Sequence, residues 1–294
     1  MALFYRRLPK FEYVAPQTLD EALHILGTRR EKVKLLAGGT DLVVQLKSRE
    51  IAIPEYVLDL KSVPGLSSVT FNLQSGLTIG ALATISSVAE SSEAQKYFPA
   101  LVQAALSMAS PQVRNKGTFV GNICNAVPSA DSAPPLLALN ATLRLKSLAG
   151  ERTVPIKEFF TGPRKTVLQP DEMVLEINVP TPPLGSSSVY LKLSPRHSMD
   201  LAIVGVAVCG IMNNGICQDV TIALGAVAPT PIRAHLAEEM LKNNKITPEL
   251  IEDAAQNAIT QCSPIDDHRA SKEYRCDMVR VMTKRALTQV LIGG

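Results

Sequence analysis

Several patterns that mark common kinds of site are absent from this sequence. The chain has 294 residues and five cysteines, but it contains no C-x-x-C pair, and its four histidines lack the spacing of metal ligands. A disulfide framework, a zinc or iron–sulfur site and hydrolytic metal chemistry are therefore not indicated. The chain also lacks the G-x-G-x-x-G pattern of Rossmann domains and the G-x-x-x-x-G-K pattern of P-loops.

Long apolar runs and clustered charges are also missing. No apolar stretch approaches the roughly 20 residues of a membrane-spanning helix. The start, MALFYRRLPKFEYVAP, has a basic pair without a following apolar block, so a secretion signal is not predicted. The net charge is only +3, and the basic residues do not cluster with aromatic ones, which disfavours nucleic-acid binding. An apolar fraction of 46% instead indicates a well-folded protein, for which we predict a cytoplasmic location and reduced thiols.

Local patterns predict the order of strands and helices. Residues up to about 53 predict strand, helix, strand, loop and helix, and the region from 54 to 180 predicts strands followed by two helical pieces. The second piece is predicted to end at Pro111, because proline disfavours helical geometry in the preceding residue. The segment TPPLGSSS, 181–188, has the composition of a linker. Beyond it, three strand patterns with NNG as a hairpin turn precede three helices, which favours an α+β domain.

The stretch KLLAGGTDLVVQLK, residues 34–47, places two glycines between a strand pattern and a helix pattern. Backbone N–H groups in such a turn can hold an anion, and glycine removes the Cβ atom that would keep a phosphate at a distance. Thr40 can donate its hydroxyl, and the positive end of the following helix adds to the attraction. An ordinary strand-to-helix turn explains this motif, taken alone, about equally well.

A second glycine-bearing segment favours the anion-binding interpretation. RNKGTFVGNICNAVPSADSAPPLLAL has little regular periodicity, is too apolar to be disordered, and carries Thr118 and Asn122 close to its glycines. Long irregular segments inside compact domains are usually functional. Two such loops suit an extended ligand with a diphosphate in its middle, and Asp131 can then accept hydrogen bonds from ribose or ribitol hydroxyls.

Four motifs, in this order, resemble those of one protein family: AGGTDL, RNKGTFVGN with PSADSAPPLLAL, YLKLSPRHSMDLAIVGVAV, and ALGAVAPTPIRAHLAEEML. Over nearly its whole length the chain resembles the FAD-binding medium subunit of the molybdenum hydroxylases, the family of xanthine dehydrogenase and carbon monoxide dehydrogenase. The resemblance implies an α+β fold. A two-part FAD-binding domain of the PCMH type, 1–180 with subdomains of about 1–53 and 54–180, precedes a C-terminal α+β domain. That domain, 181–294, would have a three-stranded antiparallel sheet and a helical bundle.

The resemblance also implies which residues bind the cofactor. The first loop would wrap the FAD diphosphate and adjoining groups, the second loop would contact its other side and the sugar hydroxyls, and two further residues would lie beside the cofactor. These residues are Leu35, Leu36, Ala37, Gly38, Gly39, Thr40, Asp41 and Leu42, then Thr118, Gly121, Asn122 and Asp131, and finally Val174 and, near the flavin, Lys192. The first loop has no histidine for a covalent bond, so noncovalent FAD is expected. Val120 departs from the family, which often has two adjacent glycines before the asparagine.

The function that the resemblance implies is electron relay inside a heterotrimeric oxidoreductase. A large partner subunit would oxidise the substrate at a molybdenum cofactor, and a small partner subunit would pass electrons through [2Fe–2S] clusters. FAD in this chain would then reduce NAD⁺ or another acceptor, without a metal or a catalytic side chain of the chain's own. Two alternatives stay open: a self-sufficient FAD-dependent oxidoreductase acting directly on a small molecule, and a non-enzymatic partner that has lost the cofactor.

Overall fold

The computed structural model describes residues 7–196 and 199–293. Its first part is a small parallel sheet in the order β1–β3–β2, in which parallel pairing places the carboxyl ends of the strands at one edge. The helix α1 packs Ala22, Leu23 and Leu26 into the core, and the Thr18 hydroxyl accepts from the N–H of Glu21 at its start. The elements are β1 (Glu12–Val14), α1 (Leu19–Arg29), a 3₁₀ turn (Arg30–Lys32), β2 (Val33–Leu36), α2 (Leu42–Ser48) and β3 (Tyr56–Asp59).

The second part is an antiparallel five-stranded sheet covered by short helices. Its strand order is β4–β5–β10–β6–β7, and its core includes the fully buried Phe98, Phe119 and Phe159. After a 3₁₀ turn (Leu60–Ser62), the elements are β4 (Val69–Asn72), β5 (Gly76–Gly80), α3 (Ile85–Glu90), α4 (Ser92–Tyr97), α5 (Pro99–Ser107), α6 (Pro111–Arg114), α7 (Phe119–Asn125), α8 (Ala133–Ala138), β6 (Thr142–Ser147), β7 (Gly150–Pro155), α9 (Ile156–Phe159), β8 (Phe160–Gly162), β9 (Lys165–Thr166) and β10 (Met173–Val179).

Two prolines of this part begin helices. Pro99 is the first residue of α5, and α5 ends at Ser107 and not at Pro111. The prediction of a helix end at Pro111 is therefore wrong. Ala109 adopts a left-handed φ of 41°, and Pro111 then opens α6 after the cap residue Ser110. Proline suits this first helical position, where its missing N–H costs no hydrogen bond.

The third part is an antiparallel sheet with a helical bundle on one face. The sheet has four strands and not the predicted three, because the two-residue β14 pairs with β13. Asn214 and Gly215, both with left-handed φ, form the predicted hairpin turn. The elements are β11 (Ser186–Leu193), β12 (Val204–Asn213), β13 (Ile216–Gly225), β14 (Ile232–Arg233), α10 (His235–Leu241), α11 (Pro248–Ala258), a 3₁₀ turn (Ile259–Gln261) and α12 (Lys272–Leu291). The strand β11 therefore begins inside the segment that was predicted to be a linker.

This third sheet is buried on both faces. Alternate residues of β12, Val204, Val206 and Val208, pack into the core formed with α10, α11 and α12. Ala207, which points to the other face, joins the core of the second part, where α5 and α8 contact the sheet. Alternate residues of one strand thus belong to two different cores, and the sheet holds the carboxy-terminal region against α5 and α8.

The described residues include neither a membrane-crossing helix nor a cluster of metal-binding side chains. No helix there combines the length and apolar character that crossing a bilayer requires. Nor do residues 7–196 and 199–293 contain a group of three or more His, Cys, Asp or Glu side chains able to hold a metal ion.

Candidate functional site

Both glycine loops line one cleft of about 930 Å³. Val174 of β10 contributes an apolar side chain to it, and the third part of the chain contributes Met199, Asp200, Leu201, His268 and Arg269. The volume is at the upper end of the roughly 300–1,000 Å³ typical of small-molecule sites. The cleft therefore has room for a long ligand that contacts all three parts of the chain.

The first glycine loop presents unpaired backbone donors to this cleft. The N–H groups of residues 38 to 42 donate to no acceptor within the described part of the chain, and all five residues line the cleft. Gly39 has a left-handed φ of 76°, which a residue with a Cβ atom adopts only under strain. Leu35 also lines the cleft, whereas Leu36 packs beside the loop and is not part of the cleft surface. Such a run of free donors is what an anionic group requires.

The two glycine loops touch each other through their backbones. A Cβ atom on Gly38 would lie 2.0 Å from the carbonyl oxygen of Lys116 and 2.8 Å from the Cα atom of Gly117. A Cβ atom on Gly117 would lie 3.2 Å from the hydroxyl oxygen of Thr40. The neighbour that requires glycine at position 38 is therefore the second loop itself. Together the loops form one surface, and a side chain at position 38 would separate them.

The second glycine loop begins a helix, although its sequence predicted irregular structure. Thr118 caps α7, and its hydroxyl oxygen accepts from the N–H of Gly121 at 3.0 Å. A Cβ atom on Gly121 would lie 2.6 Å from that oxygen, so glycine keeps the cap in place. Val120 lies in the first turn of α7 with its side chain in the core, and its position does not need a left-handed φ. Its substitution for glycine is thus accommodated by packing.

Asp131 and Lys192 form a buried ion pair. The Lys192 ammonium donates to Asp131 Oδ2 at 2.8 Å and to the carbonyl oxygen of Ser107 at 3.1 Å, and the Tyr190 hydroxyl donates to Asp131 Oδ1 at 2.7 Å. Burial raises the pKa of Asp131, and the charge of Lys192 and both hydrogen bonds act in the opposite direction. Asp131 lines the cleft, whereas Lys192, predicted to lie near the flavin, is absent from the cleft surface.

Asp41 and Gln45, at and after the first glycine loop, interact with polar groups elsewhere in the chain. Asp41 precedes α2, and desolvation on the cleft surface raises the pKa of its carboxyl, whereas Arg164 and Asn125 lower it. The Gln45 side chain of α2 donates to Asn125 Oδ1 at the end of α7 at 3.0 Å. The two short helices that follow the glycine loops are therefore linked by a hydrogen bond between side chains.

Comparisons with known proteins agree over almost the entire chain. Residues 9–182 match the family described as "FAD binding domain in molybdopterin dehydrogenase", and residues 189–290 match the "CO dehydrogenase flavoprotein C-terminal domain". The chain belongs to the FAD-binding flavoprotein subunits of the molybdopterin dehydrogenases. The predicted family and the predicted α+β fold are therefore confirmed, and the chain is a flavoprotein subunit of the oxidoreductases called molybdenum hydroxylases.

Individual relatives of this flavoprotein subunit are similar along their full lengths. The xanthine dehydrogenase FAD-binding subunit of Escherichia coli O157:H7 is 35% identical over 283 residues, 96% of each chain. The carbon monoxide dehydrogenase medium chain of Hydrogenophaga pseudoflava is 36% identical over 279 residues, 95% of this chain and 96% of that one. Among solved structures, carbon monoxide dehydrogenase from Hydrogenophaga pseudoflava superposes with a TM-score of 0.93 at 36% identity, covering 97% of this chain and 98% of that one.

Sequence reasoning missed a charged network on the third part of the flavoprotein subunit. Arg275 of α12 is buried and donates to Asp267 Oδ1 at 2.9 Å, and Asp267 Oδ2 accepts from Arg269 at 2.7 Å. Arg269 lines the cleft. The sequence did contain a signal for this network. Arg275 lies on the apolar side of a helix pattern, and a charged residue there is rarely buried without a partner. In the third part of the chain Arg196 also donates to Asp200, at 3.1 Å.

Cys124 of α7 lines the same cleft, and its thiol is expected to react slowly. Burial raises the pKa of Cys124 to about 12, from an ordinary value of 9.0. At pH 8 this lowers the thiolate fraction about 1,000-fold, and the greater nucleophilicity of a basic thiolate recovers roughly 20-fold. A disulfide reagent should therefore modify Cys124 about 50-fold more slowly in the native protein than in urea. Equal rates, measured by peptide mass spectrometry, would contradict this prediction.

Proposed function

We propose that this flavoprotein subunit binds FAD noncovalently in the cleft and relays electrons. It would receive them from the [2Fe–2S] clusters of a small partner subunit, after a large partner subunit has oxidised the substrate at its molybdenum cofactor, and pass them to NAD⁺ or another acceptor. The observation that carries the proposal is the row of five N–H groups, residues 38 to 42, that have no partner among the described residues and lie on a cleft shared with the second glycine loop.

The residues of the cleft suit a dinucleotide. Free N–H groups beside Gly39 and the Thr40 hydroxyl match the oxygen acceptors of a diphosphate, and hydrogen bonds to charged acceptors contribute about 1.5–3 kcal/mol each. Leu35 and Val174 provide apolar contact for aromatic rings. Thr118, Gly121 and Asn122 would approach the diphosphate from the second loop. Both carboxylate oxygens of Asp131 already accept protein hydrogen bonds, so any contact with a sugar hydroxyl would use their remaining lone pairs.

The chain's own part in the reaction is binding and electrostatics. Bound FAD supplies a group that exchanges electrons singly or as a hydride. Backbone donors would stabilise the negative charge of the diphosphate by hydrogen bonding, and the Asp267–Arg269 pair places a guanidinium on the cleft surface. A positive charge there would favour the accumulation of negative charge by ordinary Coulomb attraction.

The relay is tested with the full chain in its native complex. Purified chain should carry visible flavin absorbance, and acid precipitation should release the flavin into the supernatant, because no covalent bond holds it. The complex, reduced anaerobically, should then be reoxidised by NAD⁺, NADP⁺, a quinone or oxygen, each tried separately, and only while FAD is present. Reoxidation at an unchanged rate after FAD removal would contradict the relay.

The alternative of a self-sufficient oxidoreductase is tested with the same preparation. That function requires a substrate pocket with its own acid or base, and on the cleft surface Asp131, Asp200 and Arg269 are already joined in ion pairs. If the isolated chain, free of partner subunits, oxidises an organic substrate at a rate comparable with the complex, the stand-alone function replaces the relay.

A further inference from the structure

The segment between α7 and α8, residues 126–132, is held by the third sheet at two points. The N–H of Ala226 donates to the carbonyl oxygen of Pro128 at 2.8 Å. Three residues later, Asp131 accepts from Tyr190 and Lys192, which both project from β11. The segment that follows the second glycine loop therefore takes its position from a different part of the chain.

The second attachment, at Asp131, is buried, and each of its three side chains has a hydrogen-bond partner. Asp131 is 8% exposed and Tyr190 5%, and the Lys192 side chain is 9% exposed, so little water competes for their hydrogen bonds. Each carboxylate oxygen of Asp131 has one protein donor. Gly205 of β12 makes room for the Tyr190 hydroxyl, because a Cβ atom there would lie 2.7 Å from its oxygen. A buried network in which every member has a partner fixes a single arrangement of its side chains.

Ser132, the residue after Asp131, connects this segment to the cleft surface by a hydrogen bond. Ser132 is completely buried, and its hydroxyl donates to Asn122 Oδ1. The amide oxygen of Asn122 is engaged in this way, and its two N–H donors have no acceptor in the part of the chain that the structure describes. Asn122 lies next to Gly121 on the cleft surface. The orientation of the Asn122 amide thus depends on the location of Ser132.

We propose that Lys192 and Tyr190 are positioning residues for the diphosphate end of the cofactor. They hold Asp131, and through the adjoining Ser132 they orient the Asn122 amide so that its N–H groups face an anionic ligand. The Lys192 ammonium contacts Asp131 directly, so in this arrangement it acts through Asp131. The inference rests on the proposed binding of FAD in this cleft and adds the route by which the third sheet contributes to it.

The test compares ligands that carry different halves of FAD. The full chain and its Lys192→Met variant are titrated with FAD, with ADP, which has the diphosphate, and with riboflavin, which has only the flavin end. We expect FAD and ADP to bind about tenfold more weakly to the variant, as for the loss of one hydrogen bond to a charged acceptor, while riboflavin binding and the flavin absorbance maxima stay unchanged. Weaker riboflavin binding or shifted maxima, with ADP unaffected, would overturn the proposal.

Two further variants distinguish a specific effect on the position of the Asn122 amide from a general destabilisation of the third sheet. Arg233→Met is a comparable substitution in the same sheet, because it leaves the mostly buried Glu238 without its Arg233 partner. Both residues lie far along the chain from Asp131. If this control weakens ADP binding as much as Lys192→Met does, the proposal is wrong. The double variant Asp131→Asn/Lys192→Met removes both charges together, and we expect it to regain part of the ADP affinity.

A milder variant covers the case in which Lys192→Met does not fold. Tyr190→Phe deletes only one donor to Asp131, and we expect ADP and FAD to weaken by the same factor of about threefold, with riboflavin unchanged. No change in either ligand would contradict the proposal. Absence of FAD binding by the unaltered chain would instead refute the proposed function, so the two failures are distinguishable.

Discussion

Replacing Gly38 by alanine is expected to abolish FAD retention by this subunit. The new Cβ atom would meet the Lys116 carbonyl oxygen at 2.0 Å, and neither backbone can move aside without separating the two glycine loops. Separation withdraws the N–H groups of residues 38 to 42 from the surface shared with Thr118 and Gly121. Losing two hydrogen bonds to a charged acceptor costs about 3–6 kcal/mol, or roughly two to four orders of magnitude in the dissociation constant.

The chain provides a matched control for this substitution. Gly162 of β8, like Gly38, has no left-handed φ, and a Cβ atom there would find its nearest neighbour at 3.9 Å, in ordinary contact. Gly162→Ala should therefore bind FAD like the unaltered chain. Both variants are compared by equilibrium dialysis against FAD and by circular dichroism. If Gly38→Ala keeps an affinity within tenfold of Gly162→Ala, the shared surface of the loops is not the diphosphate site.

The positive φ of Gly39 permits a second comparison, independent of the contact between the loops. Gly39 and Gly65 have nearly equal φ values, 76° and 81°, so valine strains the backbone similarly at both. Around Gly65 no atom lies within 4 Å of the added Cβ, whereas at Gly39 the Leu36 and Val43 side chains are close. We expect Gly39→Val to lose FAD and Gly65→Val to keep it, since only the first position belongs to the cleft.

Much of this arrangement could be predicted from local sequence, because local chemistry determines it. The glycine pair, the strand before it and the helix after it are patterns of a few residues, and α2 follows the glycine pair as predicted. The hairpin at Asn214 and Gly215 is equally local. Such features depend on φ preferences and hydrophobic periodicity, which a single sequence displays.

The parts that escaped prediction depend on contacts between distant segments. Nothing near Gly38 in the sequence indicates that Lys116 will be its neighbour. The partnership of Lys192 with Asp131 joins residues 61 positions apart, and only the docking of the third sheet on α5 and α8 brings them together. Resemblance to the family identified Lys192 as a cofactor-site residue, whereas its contact with the Asp131 carboxylate is known only from the structure.

Replacing Arg275 by methionine is expected to be the most destabilising single change in the third part of the chain. Arg275 is 3% exposed, and its guanidinium donates to the carbonyl oxygens of Ile203 at 2.7 Å and Ala226 at 3.1 Å, as well as to Asp267. Methionine fills a similar volume but satisfies none of these acceptors. Removing one partner of a buried ion pair costs about 3–5 kcal/mol. Arg269 remains as a partner of Asp267, so we expect a value near 3 kcal/mol.

The same substitution on the same helix supplies the control for Arg275→Met. Arg280 of α12 pairs with Glu252, but its side chain is 39% exposed, and exposed pairs contribute about 0–1 kcal/mol. Urea titration should therefore separate the two variants by at least about 2 kcal/mol in the free energy of unfolding. Arg275 also holds Ala226 through its hydrogen bond to that residue's carbonyl oxygen. The N–H of Ala226 in turn donates to the carbonyl oxygen of Pro128, which follows the second glycine loop. We expect Arg275→Met to lose some FAD affinity together with its stability. Equal stability of the two variants would show that Arg275 does not stabilise the third part of the chain more than Arg280 does.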